Sequence, residues 1–257
     1  GNLVTASEES YSGYRASHAI SNMLRWFASV QIRNIACLGG NLVTASPISD
    51  MNPMLAALDA TLNICSASRP PRTVLVSDFF ISYRKVDLNP DEVILSITIP
   101  NTCPVFEYIM PFKQARRRED DISIVTAGIR MKVSPSKDSS HFIIAEASLS
   151  FGGVAAKTIL ALNTAKGLIG KPWTSETFSF ARKQLVRELD LRDDAPGGQT
   201  EYRRALAASF LFKFYLSSSL EISKDVNRVA NNDIDFQEGS ILSEVIQPRN
   251  MKSADLS

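Results

Sequence analysis

The sequence is poor in the residues that most directly announce chemistry. Its 257 residues include three cysteines, Cys37, Cys65 and Cys103, with no C-x-x-C pair. That excludes a disulfide framework and argues against a structural zinc or iron–sulfur site within this stretch. Two histidines, His18 and His141, are too few for a His-rich metal site and make a Ser-His-Asp triad a poor reading. Charge of one sign is missing as well: 28 Lys and Arg face 27 Asp and Glu, a net charge of +1. No global field draws the chain to nucleic acid or an anionic membrane, and neither is expected as a partner. No apolar run approaches the roughly 18 residues that cross a bilayer; the richest, residues 205–212, is interrupted by Ser209. The start carries no signal-peptide pattern, and the chain reads as part of a longer parent. What is present is an average globular composition, 44% hydrophobic and 21% charged, which excludes disordered, collagen-like and coiled-coil classes. The sparse cysteines fit a reducing compartment such as the cytoplasm.

Seven residues, GNLVTAS, occur at positions 1–7 and again at 40–46, but their flanks do not repeat. One extra copy is not a solenoid, and it reads as a duplication, a splice error or an artefact of gene assembly. Apolar residues Ile20, Met23, Leu24, Phe27 and Val30 recur at helical spacing and predict a helix over 16–30. A second short helix is expected over 54–60. Strands follow over 61–65, 73–76 and 93–99, separated by Pro-containing turns and closed by Pro100. Beyond a boundary near 102–106, strands are expected over 106–114, 122–133 and 142–151, then helices over 157–168, 175–188 and 200–220. Strands followed by helices suggest an α+β fold, an antiparallel sheet with helices on one face. Three stretches result: 1–105, 106–223, and a polar linker or tail over 224–257.

Three segments carry candidate chemistry. Cys37, Leu38, Gly39, Gly40 and Asn41 form a paired-glycine bend, followed by Thr44, Ser46, Pro47 and Asp50. Adjacent glycines let backbone approach a ligand closely, and the uncharged donors suit a phosphate or a flavin ring, although G-G-N is also an ordinary turn. In the segment from Phe112 to Ile122, FKQARRREDDI, the charge run reads as a solvated turn. Lys113, however, sits in strand alternation, and a lysine pointing inward there would need an anionic or polar partner. The third segment, DAPGG at 194–198 with Tyr202, Arg203 and Arg204 after it, reads as a loop and helix start capped by Thr200.

Taken in order, GGNLVTASPISDMNP, FFISYRK, FKQARRREDDI, FGGVA, DAPGG and EYRR resemble the FAD-binding portion of the xanthine dehydrogenases, in the molybdenum hydroxylase family. The likeness runs from about residue 14 to 220. It implies part of a PCMH-type FAD-binding domain followed by an α+β flavoprotein domain. In the family, electrons leave a purine at a molybdenum centre, cross iron–sulfur clusters to FAD, and pass to NAD⁺ or O₂. FAD is therefore the implied cofactor and NAD the co-substrate. The iron–sulfur and molybdenum domains are implied as partners, with homodimerisation of the parent, in the cytoplasm or peroxisome. The resemblance carries FAD contacts onto Phe27, Cys37, Leu38, Gly39, Gly40, Asn41, Thr44, Ser46, Asp50, Ile94 and Lys113. It matches Arg25, Trp26 and Arg118 to a cluster that shapes the flavin environment, and Asp120 to an acid near the ring. Family members also carry an earlier FAD subdomain with a V-G-N-T-like loop, which residues 1–13 do not match. Two consequences are expected: apolar faces left exposed in the first hundred residues, and, as the alternative reading, a non-catalytic remnant that does not hold FAD alone.

Overall fold

A computed structural model describes residues 15–103, 105–137, 141–189 and 191–231. The repeat copy at 1–7 and most of the expected tail lie outside these. Helix α1 (Arg15–Arg25) follows the apolar stripe but ends before Val30. Trp26 and Phe27 close it with short backbone bonds to Met23 and Leu24, and Ala28 takes a positive φ of 45°. Ser29 then caps a separate helix, α2 (Val30–Ile35), by accepting from the Ile32 amide. Arg33 fixes the break by donating to the Phe27 and Ala28 carbonyls at 2.7 and 2.6 Å.

The paired-glycine bend is also corrected: Gly39, Gly40 and Asn41 lie in helix α3 (Leu38–Thr44), which ends on Ala45 in the left-handed region. Helix α4 (Asn52–Ala57) starts with Pro53 in its first turn, and its end leads into β1 (Thr61–Ser66). A small sheet pairs β2 (Arg72–Leu75), β1 and β5 (Glu92–Thr98), all antiparallel. Between β2 and β5 lie α5 (Val76–Phe79) and a hairpin of β3 (Phe80–Ser82) with β4 (Lys85–Val86).

The second sheet is antiparallel in the order β6 (Glu107–Ala115), β7 (Ser123–Pro135), β8 (Phe142–Gly152), β9 (Ile159–Leu160). The expected helix over 157–168 is shorter. Ile159 and Leu160 pair with β8, and α6 (Leu162–Leu168) begins where the Glu188 carboxylate accepts from the Asn163 and Thr164 amides at 2.7 Å each. Helix α7 (Ser175–Glu188) matches its expected span and is capped by Thr174.

Helix α8 (Thr200–Ala230) starts after Gln199 in the left-handed region rather than on a Thr200 cap, and runs well past residue 220. Residues 224–230, expected to open a polar tail, are helical because Ile222, Asp225 and Val229 continue its buried face. The helix is long and apolar enough to cross a membrane, but Phe210, Leu211 and Phe214 are spent on the protein core. Alternation along β7 divides the molecule. Val125, Ala127, Ile129, Met131 and Val133 enter the cluster shared with α7 and α8. Their neighbours Thr126, Gly128 and Arg130 face α4 and the loop before it.

Candidate functional site

The site is built where the loop between α3 and α4 crosses β6 and β7. Ser49 organises that loop. Its hydroxyl donates to Asn41 Oδ1 at 2.7 Å and accepts from the Met51 and Asn52 amides at 3.3 and 3.2 Å. Its carbonyl accepts from Thr126 Oγ1 at 3.0 Å. The next residue, Asp50, is buried and uses both carboxylate oxygens: Oδ2 accepts from Lys113 Nζ at 2.6 Å, and Oδ1 from the Ser123 hydroxyl. Lys113 Nζ also donates to the Trp26 carbonyl at 2.9 Å. The inward lysine thus has its anionic partner, and among the described residues two of the three ammonium donors are used, which leaves one for a further acceptor.

Close packing holds this loop in place. The Gly153 amide donates to the Pro47 carbonyl at 2.7 Å. A Cβ at Gly152 would lie 2.9 Å from that carbonyl oxygen, and one at Gly128 would lie 2.6 Å from the Pro53 carbonyl oxygen. Gly39 and Gly40 are different. A Cβ there would meet nothing nearer than Cys37, at 3.8 and 3.9 Å, and neither residue has positive φ. Neither backbone shape nor protein packing requires these glycines, and their bare surface admits close approach by a ligand. Nearby in sequence, the buried Asn52 side chain has no hydrogen-bond partner among the described residues for either its oxygen or its nitrogen. The open glycine surface and the remaining Lys113 donor each suit part of a dinucleotide, whereas Asn52 is wholly buried and out of a ligand's reach.

A cleft of about 1400 Å³ opens between α1, β6 and the end of α8, lined among others by Trp26, Lys113, Arg118 and Arg228. Arg118 lies over the Trp26 ring, 5.4 Å from its centroid. Arg25 is the exposed last residue of α1. Asp120 is exposed with φ 47°, in a turn that Asp121 closes by accepting from the Arg117 and Ile122 amides; those bonds lower the Asp121 pKa. Gly39, Gly40 and Asn41 do not line this cleft. They reach Lys113 through Ser49 and Asp50 rather than across a common crevice.

The other expected residues are dispersed. Thr44 donates back to the Gly40 carbonyl at 2.8 Å, and the Ser46 hydroxyl accepts from the Ile48 amide, so both support local turns. Ile94 packs on the core of the small sheet, and Phe27 contributes a carbonyl to Arg33. Cys37 is exposed ahead of α3, and Leu38 is half-buried. Ser49, Ser123, Thr126 and Asn52 were not singled out from sequence. A serine after an acidic run carries no periodic signal, and its role depends on a strand irregularity.

The sequence matches the family described as FAD binding domain in molybdopterin dehydrogenase over residues 1–102, and CO dehydrogenase flavoprotein C-terminal domain over 111–218. It is 41% identical to xanthine dehydrogenase 1 of Arabidopsis thaliana over 230 residues, 90% of this chain and 16% of that protein. It is 46% identical to xanthine dehydrogenase/oxidase of Gallus gallus over 209 residues, 81% of this chain and 15% of that protein. The chain thus spans about one sixth of the length of these relatives. The fold is shared with quinoline 2-oxidoreductase of Pseudomonas putida, at a TM-score of 0.67 and 24% identity, covering 79% of this chain and 67% of that one. It is shared equally with carbon monoxide dehydrogenase of Hydrogenophaga pseudoflava, at a TM-score of 0.67 and 20% identity, covering 76% and 64%. The chain belongs to the molybdenum hydroxylase family, as the FAD-binding and flavoprotein C-terminal region of a xanthine dehydrogenase homologue.

Proposed function

We propose that this chain holds FAD against α3 and the Asp50–Lys113 pair, within a larger xanthine dehydrogenase-like oxidoreductase that hydroxylates purines. The observation that carries the reading is the Asp50–Lys113 pair itself, which ties the loop beyond the glycines to β6 with one ammonium donor unspent. When bound, FAD supplies the electron-accepting and hydride-transferring chemistry. The chain's own work is orientation and electrostatics. Gly39 and Gly40 give access to backbone, Lys113 offers a cationic donor, and the buried Asp50 fixes where that donor points. Arg118 stacked on Trp26 sets a cationic edge beside the cleft, where a negatively charged acceptor such as NAD⁺ can approach. Iron–sulfur and molybdenum domains are the partners this reading requires, with NAD⁺ or O₂ taking the electrons.

Titration of the purified chain with FAD tests the binding. Retained flavin absorbance after gel filtration, with a thermal midpoint that rises with FAD concentration, is expected. Absence of both overturns the reading. A second reading, in which the chain alone does not retain FAD, is favoured by α2, none of whose residues is buried. That helix would then wait for a covering surface before the cradle closes.

A further inference from the structure

Strand register places one more residue at the site. Lys113 pairs with Thr126 and Gln114 with Val125, but Ala115 pairs with Ser123, skipping Ile124. Cross-strand partners share a face of the sheet, and an extra residue in one strand turns the next side chain over. In unbroken register Ser123 would project with Val125 into the apolar cluster. The bulge instead puts it on the face of Lys113 and Thr126, where its hydroxyl donates to Asp50 Oδ1. Ser123 is buried, as is Asp50, so little water competes for that oxygen. With Lys113 on Oδ2 and Ser123 on Oδ1, the carboxylate is held at both ends and cannot rotate without losing a charge-assisted bond. Thr126, two positions beyond the bulge, grips the adjacent Ser49 carbonyl, and Asn41 is tied to the same serine.

We infer that Ser123 is a positioning residue for the FAD cradle. Delivered by the β7 bulge, it locks the Asp50 carboxylate and thereby the direction of the Lys113 ammonium. The inference rests on the FAD reading above. It is tested in the full chain with FAD as the probe. Ser123→Ala should weaken FAD binding about tenfold by fluorescence titration, as loss of a hydrogen bond to a charged group predicts. In the FAD-free chain, Lys113 should react faster with limiting acetic anhydride, scored by mass spectrometry against Lys157. Ser123→Thr, which keeps the hydroxyl, should restore both readouts; a purely structural role would move the thermal midpoint without changing Lys113 reactivity. If Ser123→Ala fails to fold, Ser123→Cys keeps the volume and loses the strong donor, and the same comparison applies. Parent-like FAD affinity or unchanged Lys113 reactivity in the hydroxyl-lacking variant overturns the inference while leaving the FAD reading standing. No FAD uptake by the parent chain overturns both.

Discussion

On one face of β7, Val125, Ala127, Ile129, Met131 and Val133 sink into the apolar cluster under α7 and α8. On the other, Thr126 and Arg130 bond to the Ser49 and Ala57 carbonyls, and Gly128 lets Pro53 and Met54 touch the sheet backbone. The first face is held by buried area, which tolerates repacking. The second is held by backbone approach and directed polar groups, which tolerate little. The portion ahead of β6 divides its apolar residues between two small clusters, and leaves Ile35 81% and Leu95 70% exposed. It is attached through β6, β7 and β8 and, by the Arg15–Asp225 pair, through α8, and the candidate site lies along that attachment.

The strongest test strikes a lock at the far end of the cleft, away from Asp50 and Lys113. Asp225, 1% exposed, accepts from Arg15 at 2.6 and 2.7 Å, from the Tyr108 hydroxyl at 2.8 Å and from the Phe106 amide at 3.1 Å. It joins α1, β6 and α8, and burial together with this carboxylate pushes the Tyr108 phenol well above its ordinary pKa. Asp225→Ala takes the carboxylate from the buried Tyr108 hydroxyl and removes the ion pair between α1 and α8, and should cost about 3–5 kcal/mol, measured by denaturant unfolding. A loss under 1 kcal/mol would show that the lock is decorative. The next effect in size separates the two faces directly. Gly128→Ala drives a methyl to within 2.6 Å of the Pro53 carbonyl and should cost about 1–3 kcal/mol. Limited proteolysis should then release the first hundred residues and spare β6 to α8. Uniform digestion would mean that the portions unfold together.

That asymmetry also explains what the sequence made legible. Strands β6, β7 and β8 and helix α7 lie close to where alternation and helical spacing put them, because each buries one regular face. The misreadings fall where tertiary contacts override local pattern. The apolar stripe of α1 continues past Arg25, but Arg33 captures the Phe27 and Ala28 carbonyls and breaks the helix. Polar Asp225 suggested a tail because its partner Arg15 lies 210 residues earlier. At the site, Asp50 and Lys113 were recognisable from motif and alternation. Ser123 was not, since a bulge leaves no mark in residue type.

A smaller effect depends on pH and belongs to the first portion alone. Arg72 and the Asn89 amide hold the Glu92 carboxyl down from the ordinary 4.5 to about 2, and Arg72 also binds Asp87 at 2.6 Å. A depressed carboxyl stabilises the fold fully above its unfolded value and loses that contribution as pH falls towards the folded one. Hydrogen-exchange protection, corrected for the intrinsic rate at each pH, should therefore fall in β1, β2 and β5 between about pH 4.5 and 2, ahead of β7 and β8. Glu92→Gln should flatten that acid dependence while lowering protection at neutral pH. Equal acid sensitivity in both sheets would remove Glu92 as its cause.

The least perturbing change is the sharpest about the exposed face. Ile35 ends a helix without a buried residue, so replacing it removes little packing among the described residues. Ile35→Ser should shift stability by less than about 0.5 kcal/mol, as ordinary surface substitutions do. The matched change Ile129→Ser, in the core face of β7, should cost several times more, because it opens a cavity and buries a hydroxyl. If Ile35→Ser instead lowers the thermal midpoint by several degrees, that side chain is covered in solution. The attachment of the first portion would then have a further contributor on α2 besides its contacts with the second sheet and α8.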